Sequence, residues 1–195
     1  MKKLLISGFD PFGGEKINPS FEAVKLLPNT IGEYELTKIE LPTVFRRAAE
    51  IMTAKIEELR PDAVICVGQA GGRSGITPEV IGINLREAKI ADNAGNMPQN
   101  EAVREGAPDG IFATLPIRKM VEAIKAIGLP AAISYSAGAF VCNDLLYSLL
   151  HEFKNTDIKI GFIHVPFLPE QAKEGVPSME LSDITKALRA AIECL

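Results

Sequence analysis

Short apolar runs rich in β-branched residues alternate with segments of helical periodicity along most of this sequence. The predicted strands are Lys3–Ser7, Glu35–Leu41, Ala63–Val67, Ala131–Tyr135 and Lys159–Val165. Apolar residues spaced for one helix face form three groups, which are Ala48, Ala49, Met52, Ile56 and Leu59; Ile117, Met120, Val121, Ile124 and Ile127; and Ile184, Leu188 and Ile192. This alternation predicts an α/β fold with an open, twisted, largely parallel sheet and helices on both faces.

The bulk composition fits one domain that spans residues 1–195, and it argues against several kinds of partner. With 47% hydrophobic residues the chain can bury a full core. The net charge of −4 comes from interspersed acids and bases, so we expect no nucleic-acid partner. No stretch reaches the roughly eighteen apolar residues of a membrane span. The short apolar run after the first two lysines fits a first strand better than a signal peptide.

The chain has three cysteines, Cys66, Cys142 and Cys194, with no CxxC spacing. This pattern argues against a disulfide framework or a zinc site, and it predicts a reducing, cytoplasmic location. Cys66 lies inside the apolar run "AVICVG" and is expected to be buried in the sheet, whereas Cys194 is one residue from a terminus that is expected to fray.

Polar and glycine-rich segments follow three of the predicted strands. They are "GQAGGR" after "AVICV", "AGAFVCN" after "AAISY" and "HVPF" after "IKIGFI". Ligands bind beyond the carboxyl ends of the strands in open parallel sheets, so we expect these segments to meet at one functional edge. Residues 71–116 are rich in Gly, Asn, Asp and Pro, which is typical of long functional loops.

Cys142 is a candidate nucleophile because it lies where a strand-like run passes into a helical one. The first turn of a helix favours a thiolate. Of the two histidines, His151 lies roughly 13 Å along the same helix and is predicted to pack or face solvent. His164 ends a strand at the functional edge and is the candidate base.

The residue that orients the imidazole should be a carboxylate, and three positions are open. Glu79 in "ITPEVIGIN" is attractive because apolar residues flank it. Asp92 and Asp144 are the competitors. Asp144 is too close to Cys142 in sequence to reach the far side of the imidazole easily, and stabilising the helix N-terminus would be a sufficient role for it. In "GFDPFGG", Phe9 and Phe12 could either line the same edge or cap the core.

Several separated motifs then point to one family. "GFDPFGG" with "NPS", "VGQAGGR", "ITPE", "DNAGNMP", "SAGAFVCN" and "GFIHVPFLPEQ" occur in this order over almost the whole chain. Together they resemble the pyroglutamyl peptidase I family, also called pyrrolidone carboxyl peptidases. The resemblance implies a cytoplasmic, cofactor-free cysteine peptidase with an α/β fold and a homotetrameric assembly, which removes N-terminal pyroglutamyl residues from peptides through an acyl-enzyme.

The resemblance also assigns residues. It implies Cys142 as nucleophile, His164 as base and Glu79 as the carboxylate, in agreement with the interpretation above. It further implies a substrate pocket that the following residues line or support: Phe9, Phe12, Asn18, Gln69 and Phe140. The sequence departs from the family pattern at Val80, Gly82 and Lys89, where a basic residue, an alanine and an arginine are usual, and Asp144 is expected to raise the pKa of the thiol.

Two other functions compete with the peptidase. A non-catalytic protein that binds lactams or peptides could keep the same scaffold, although the intact cysteine, histidine and glutamate argue against it. A nucleoside phosphorylase or hydrolase could use the glycine-rich strand ends. It would depend on phosphate and would keep its activity after thiol alkylation, whereas the peptidase would not.

Overall fold

The computed structural model describes residues 1–195 and confirms the predicted α/β class. The eight strands are β1 (Lys2–Phe9), β2 (Thr30–Ile31), β3 (Tyr34–Leu41), β4 (Ala63–Gln69), β5 (Thr77–Pro78), β6 (Ile81–Ile83), β7 (Gly110–Phe112) and β8 (Lys159–Val165). Six of them form one sheet in the order β2-β3-β1-β4-β8-β5, and β6 pairs with β7 in a separate two-stranded sheet. The four long strands run parallel, whereas the short edge strands β2 and β5 are antiparallel to their neighbours.

Five helices cover the sheet. They are α1 (Pro19–Leu26), α2 (Arg47–Leu59), α3 (Ile117–Ala126), α4 (Val141–Glu152) and α5 (Leu181–Glu193). Residues of α2 and α4 form one apolar core with Leu5, Cys66 and Phe162 of the sheet, while α1, α3 and α5 form a second core with Ile6 and Ile65. Because side chains alternate between the faces of a strand, the apolar runs in β1, β4 and β8 supply both cores, as predicted for a doubly covered sheet.

Some boundaries differ from those that the sequence predicts. Helix α3 ends at Ala126, so Ile127 lies outside it and its side chain is half-exposed. Helix α1 was not predicted; it begins after Asn18, whose side chain accepts a hydrogen bond from the backbone N–H of Ser20, with Pro19 as the first helical residue. None of the five helices combines the length and the apolar character that crossing a bilayer requires.

The predicted strand at Ala131–Tyr135 is wrong. This segment makes only isolated bridges, Ala131 with Ile76 and Ser134 with Glu79. Strand β5 pairs with β8 at the edge of the sheet. The segment 131–135 therefore lies on the far side of β5, where its backbone forms hydrogen bonds with residues 76–80 only. Residues 71–116 hold β5, β6 and β7 between irregular stretches, and the strand-like patch "EVIGINL" supplies β6.

Candidate active site

The parallel register of β4 and β8 places Gly68 directly opposite His164. Paired residues point to the same face of a sheet, and here that face carries α4. Cys142 is the second residue of α4, and a Cβ built on Gly68 would lie 2.9 Å from its Sγ and 2.6 Å from the Phe162 ring. Because Gly68 has no side chain, the Cys142 thiol can come close to the sheet at Gly68, which is the neighbour of His164 on the adjacent strand.

Strand β5 brings Glu79 to the imidazole. Thr77 pairs with His164 in the antiparallel β5–β8 ladder, and the Glu79 N–H continues it by donating to the Phe162 carbonyl at 2.8 Å. Glu79 Oε1 then lies 2.7 Å from His164 Nδ1, with both side chains buried. An ionised carboxylate only accepts hydrogen bonds, so Nδ1 carries the proton and Nε2, which has no partner in the protein, is left as the acceptor.

The two competing carboxylates are engaged elsewhere. Asp92 closes its own turn by accepting from the backbone N–H groups of Ala94 and Asn96, and it also accepts from the Phe45 N–H. Asp144 is fully buried and accepts from Arg86 Nε at 2.7 Å and from a backbone N–H. Arg86 thus compensates the charge that Asp144 was predicted to place near the thiol.

The second histidine takes no part in this cluster. His151 lies in the last turn of α4, where its ring stacks on Tyr147 with centroids 6.2 Å apart. This position agrees with the packing role predicted from helix length.

The charge states follow from burial and from neighbouring groups. Burial alone would raise the pKa of Glu79, but hydrogen bonding and charge from His164, together with Arg73, bring that pKa below its ordinary value. Burial, together with the charge of Arg73, brings the pKa of His164 below its ordinary value, although the hydrogen bond and charge of Glu79 act to raise it. Cys142 is partly exposed as a residue, but the burial around its sulfur raises the pKa of the thiol above its ordinary value, and the charge of Glu79 acts in the same direction. Both shifts favour the neutral thiol and the neutral imidazole over the ion pair.

Aromatic side chains surround the start of α4. The Phe140 ring, which immediately precedes the helix, lies 6.0 Å from the Phe12 ring and 5.1 Å, edge to face, from the Phe45 ring. Phe12 and Phe140 are partly exposed, whereas Phe45 is buried. Phe9 is also buried and packs against Phe162 at 6.3 Å, so it lies beneath the site rather than at its surface.

The two polar residues predicted to line or support the pocket have different surroundings. Asn18 is buried, and its amide is committed to the cap of α1 and to the Asp10 carbonyl. Gln69, at the end of β4, accepts from Gln171 Nε2 at 2.9 Å and is partly exposed. Its own amide N–H₂ group makes no hydrogen bond within the protein, so it can donate to a ligand.

The loops around the site are tied together by side chains. Asp10 accepts from the Thr43 N–H at 2.7 Å and from Asn93 Nδ2 at 3.1 Å. Asn93 also donates to the Pro11 carbonyl at 2.9 Å. The aromatic loop at residues 9–12 is thereby held against the loop at 92–98, which Asp92 closes.

The sequence did not single out three side chains that the structure brings to the site. Phe45 completes the aromatic group, Gln171 holds Gln69, and Arg73 donates to Glu79 Oε1 at 2.7 Å. Arg73 and Gln171 lie within the quoted motifs, and a charged residue just after a strand end at the functional edge was the available signal for Arg73. Phe45 lies in a loop without any such signal.

Helix α4 begins with unpaired backbone donors. Its cap residue, Phe140, supplies no side-chain acceptor, and the N–H groups of Val141, Cys142 and Asn143 have no acceptor in the protein. These donors and the positive end of the helix dipole point to the region of the thiol. Such a position can stabilise an oxyanion.

The fold and this cluster place the chain among cysteine-type hydrolases with an α/β scaffold. A family model described as pyroglutamyl peptidase matches residues 2–195. The chain belongs to the pyroglutamyl peptidase family.

Curated relatives and solved structures agree with this assignment. A pyrrolidone-carboxylate peptidase of Streptococcus suis strain 05ZYH33 is 50% identical over 196 residues, covering 97% of this chain and 90% of the relative. One from Finegoldia magna is 50% identical over 199 residues, with coverages of 99% and 92%. The crystal structure of Bacillus amyloliquefaciens pyroglutamyl peptidase I has a TM-score of 0.96 at 47% identity, covering 100% of this chain and 96% of that chain. Pyrrolidone carboxyl peptidase from Thermococcus litoralis has a TM-score of 0.95 at 39% identity, with coverages of 100% and 93%.

Proposed function

We propose that this chain removes the N-terminal pyroglutamyl residue from peptides, with Cys142 as nucleophile, His164 as general base and acid, and Glu79 as the orienting carboxylate. The observation that carries the proposal is the buried hydrogen bond of 2.7 Å between Glu79 and His164, in a site where Cys142 Sγ reaches the sheet at Gly68. The proposed peptidase domain comprises residues 1–195, and the family match over 2–195 supports this extent.

The first half of the reaction forms a thioester. His164 Nε2 takes the thiol proton as Sγ attacks the pyroglutamyl carbonyl carbon, so an S–C bond forms and the carbonyl oxygen becomes an oxyanion. The free N–H groups at the start of α4 stabilise that oxyanion. The C–N bond then breaks, and the proton on His164 passes to the leaving amine of the shortened peptide.

The second half hydrolyses the thioester. Water attacks the same carbonyl and gives its proton to His164, and the C–S bond breaks to release pyroglutamate. The proton returns to Cys142 Sγ, which restores the resting neutral pair. Glu79 stays ionised throughout and stabilises the imidazolium through Nδ1. The mechanism therefore needs no cofactor.

The pocket chemistry supports a lactam substrate. A pyroglutamyl ring is flat and neutral, with one N–H donor and one carbonyl acceptor. Phe12 and Phe140 offer partly exposed apolar walls beside α4, and the Gln69 amide offers a free donor. We place the ring between these groups, above the buried Phe9, with Asn18 holding the loop that carries the aromatic residues. A charged N-terminal amine would lose its hydration there without a partner, which costs at least about 2 kcal/mol.

The assembly and location are also proposals. We infer a homotetramer from the family, and size-exclusion chromatography with light scattering that gave a mass near 21.1 kDa would contradict it. We also infer a cytoplasmic protein, and its three free cysteines support a reducing compartment.

The decisive experiment compares pyroglutamyl-aminomethylcoumarin with prolyl-aminomethylcoumarin under reducing conditions, for the wild-type chain and for Cys142→Ser. We expect fluorophore release from the pyroglutamyl compound alone, and none from the variant. Tight lactam binding by wild-type protein without turnover would favour the non-catalytic binding protein. Nucleoside cleavage that depends on phosphate and survives thiol alkylation would favour the phosphorylase.

A further inference from the structure

Arg73 joins two separate parts of the candidate site. Its Nη1 donates to Glu79 Oε1 at 2.7 Å and to the Thr77 hydroxyl, and its Nη2 donates to the Ser136 carbonyl at 3.1 Å. Ser136 belongs to the loop that leads into α4 and Cys142. One guanidinium therefore connects the carboxylate that orients His164 with the segment that carries the nucleophile.

The local sequence fixes this position of Arg73. The chain leaves β4 through Gly71 and Gly72, and a Cβ on Gly71 would lie 2.2 Å from the Phe167 ring. Gly72 has a φ of +85°, in the left-handed region that glycine adopts without strain. The Arg73 N–H then turns back to the Ala70 carbonyl at 3.4 Å. The turn directs the side chain into the site, where 28% of it remains exposed.

Arg73 and His164 both bind the same oxygen of Glu79. Oε1 accepts from Arg73 and from His164, whereas Oε2 is buried without any partner. The position of Arg73 therefore limits where Oε1 can lie, and Oε1 in turn sets the orientation of the imidazole. A charged, shared hydrogen bond is among the stronger restraints that a side chain can supply.

The charge of Arg73 also acts on the groups that move the proton. Glu79 and Arg73 are the charged groups that act on His164, and Glu79, Arg73 and the buried thiol of Cys66 act on Cys142. Arg73 opposes the negative charge of Glu79, so it disfavours the imidazolium and lowers the pKa of His164. The same positive charge acts to lower the pKa of the Cys142 thiol, against the stronger effect of burial.

We propose that Arg73 is a positioning residue whose planar fork holds Glu79 for His164 and ties the nucleophile loop to the site through Ser136, and whose charge acts on the groups that transfer the proton. The proposal rests on the function proposed above, because it assigns Arg73 a part in that reaction. Its two contributions are separable. Lysine at position 73 would keep the charge but lose the fork that reaches Glu79 and Ser136 together, whereas glutamine would lose the charge.

The first test is a proton titration that does not depend on turnover. The chain has only two histidines, so NMR of imidazole-labelled protein gives two titrating signals, and His151→Ala assigns them. We expect the midpoint of His164 to move to higher pH in Arg73→Gln and to stay in place in Arg73→Lys. Arg118→Gln removes an exposed arginine that has no ion pair and serves as the matched control. An unchanged His164 midpoint in folded Arg73→Gln would overturn the electrostatic part.

The second test is kinetic. With pyroglutamyl-aminomethylcoumarin we expect Arg73→Gln to lower kcat/KM by about 10- to 100-fold and to shift its acid limb to higher pH. Arg73→Lys should lower kcat by about tenfold with the acid limb unmoved. If Arg73→Lys has the kcat of wild type, the proposed bridge from Arg73 to Glu79 and Ser136 is refuted. This variant tests the bridge even if Arg73→Gln does not fold. If the wild-type protein does not turn over the substrate, the proposed function is refuted. The NMR titration would still decide whether Arg73 acts on His164.

Discussion

Replacing Arg86 with methionine would leave a buried carboxylate without its partner. Asp144 is fully buried, Arg86 is 6% exposed, and Nε lies 2.7 Å from Oδ1. In the variant, Asp144 would keep only the hydrogen bond from the Arg46 N–H at 2.7 Å. The carbonyls of Ala102 and Val103, which accept from the same guanidinium, would also lose their donors.

The expected loss of stability follows from the cost of an uncompensated buried charge. Breaking a buried ion pair from one side costs about 3–5 kcal/mol, although the pair itself adds little net stability. For a chain of 195 residues, each kcal/mol lowers Tm by about 2–4 °C. Arg86→Met should therefore lower Tm by about 6–20 °C.

The assay is differential scanning calorimetry at pH 7 with a matched surface variant. Arg104→Met removes an exposed pair with Glu152, whose atoms are 3.7 Å apart, and should cost no more than about 1 kcal/mol. The double variant Arg86→Met/Asp144→Asn should recover much of the loss, since no buried charge remains. If Arg86→Met lowers Tm no more than Arg104→Met does, the reasoning about buried charge is refuted.

The remaining predictions concern activity on the pyroglutamyl substrate. His164→Ala should lower kcat/KM on the order of 10³-fold or more, whereas His151→Ala should stay within about twofold of wild type; the reverse pattern would exchange their roles. Gly68→Ala should abolish turnover, because the added Cβ would lie 2.9 Å from Cys142 Sγ, and a normal kcat would contradict this geometry. The overpacking should also lower Tm by about 2–12 °C. In wild type, the acid limb of kcat/KM should have its midpoint below the ordinary histidine pKa of about 6.5, because burial lowers the pKa of His164. A midpoint above that value would mean that the charge of Glu79 outweighs the effect of burial on this pKa.

The parallel strands could be predicted from sequence because their signal is local. The run Lys159–Val165 is largely apolar and stops at Pro166, and the structure gives it those same bounds. Residues 131–135 carry a similar signal after Pro130, yet they are not a strand of the sheet. Their state depends on which segment pairs with β8, and β5, only two residues long, occupies that edge. Pairing between distant segments leaves little trace in either sequence.

The carboxylates show the same limit within the site. Glu79, Asp92 and Asp144 were open alternatives because each is an acid near the functional edge. For Asp92, the following Asn and Gly residues are typical of a turn that uses the carboxylate itself, and the structure has that turn. For Asp144 the deciding contact is with Arg86, which is 58 residues away along the chain. No sequence spacing predicts such a pair. The three-dimensional contact was needed to show that Arg86 is the partner of Asp144.

The resting charge state explains why orientation matters in this site. Burial raises the pKa of the Cys142 thiol and lowers that of His164, and both shifts favour the proton on sulfur over the proton on the imidazole. In a site that starts from a thiolate, the nucleophile is ready before the base is aligned. Here the proton must leave sulfur during the attack, and His164 Nε2 can accept it only while Nδ1 stays bonded to Glu79. A small displacement of Glu79 therefore costs rate directly, and the Arg73 contact at Oε1 prevents that displacement.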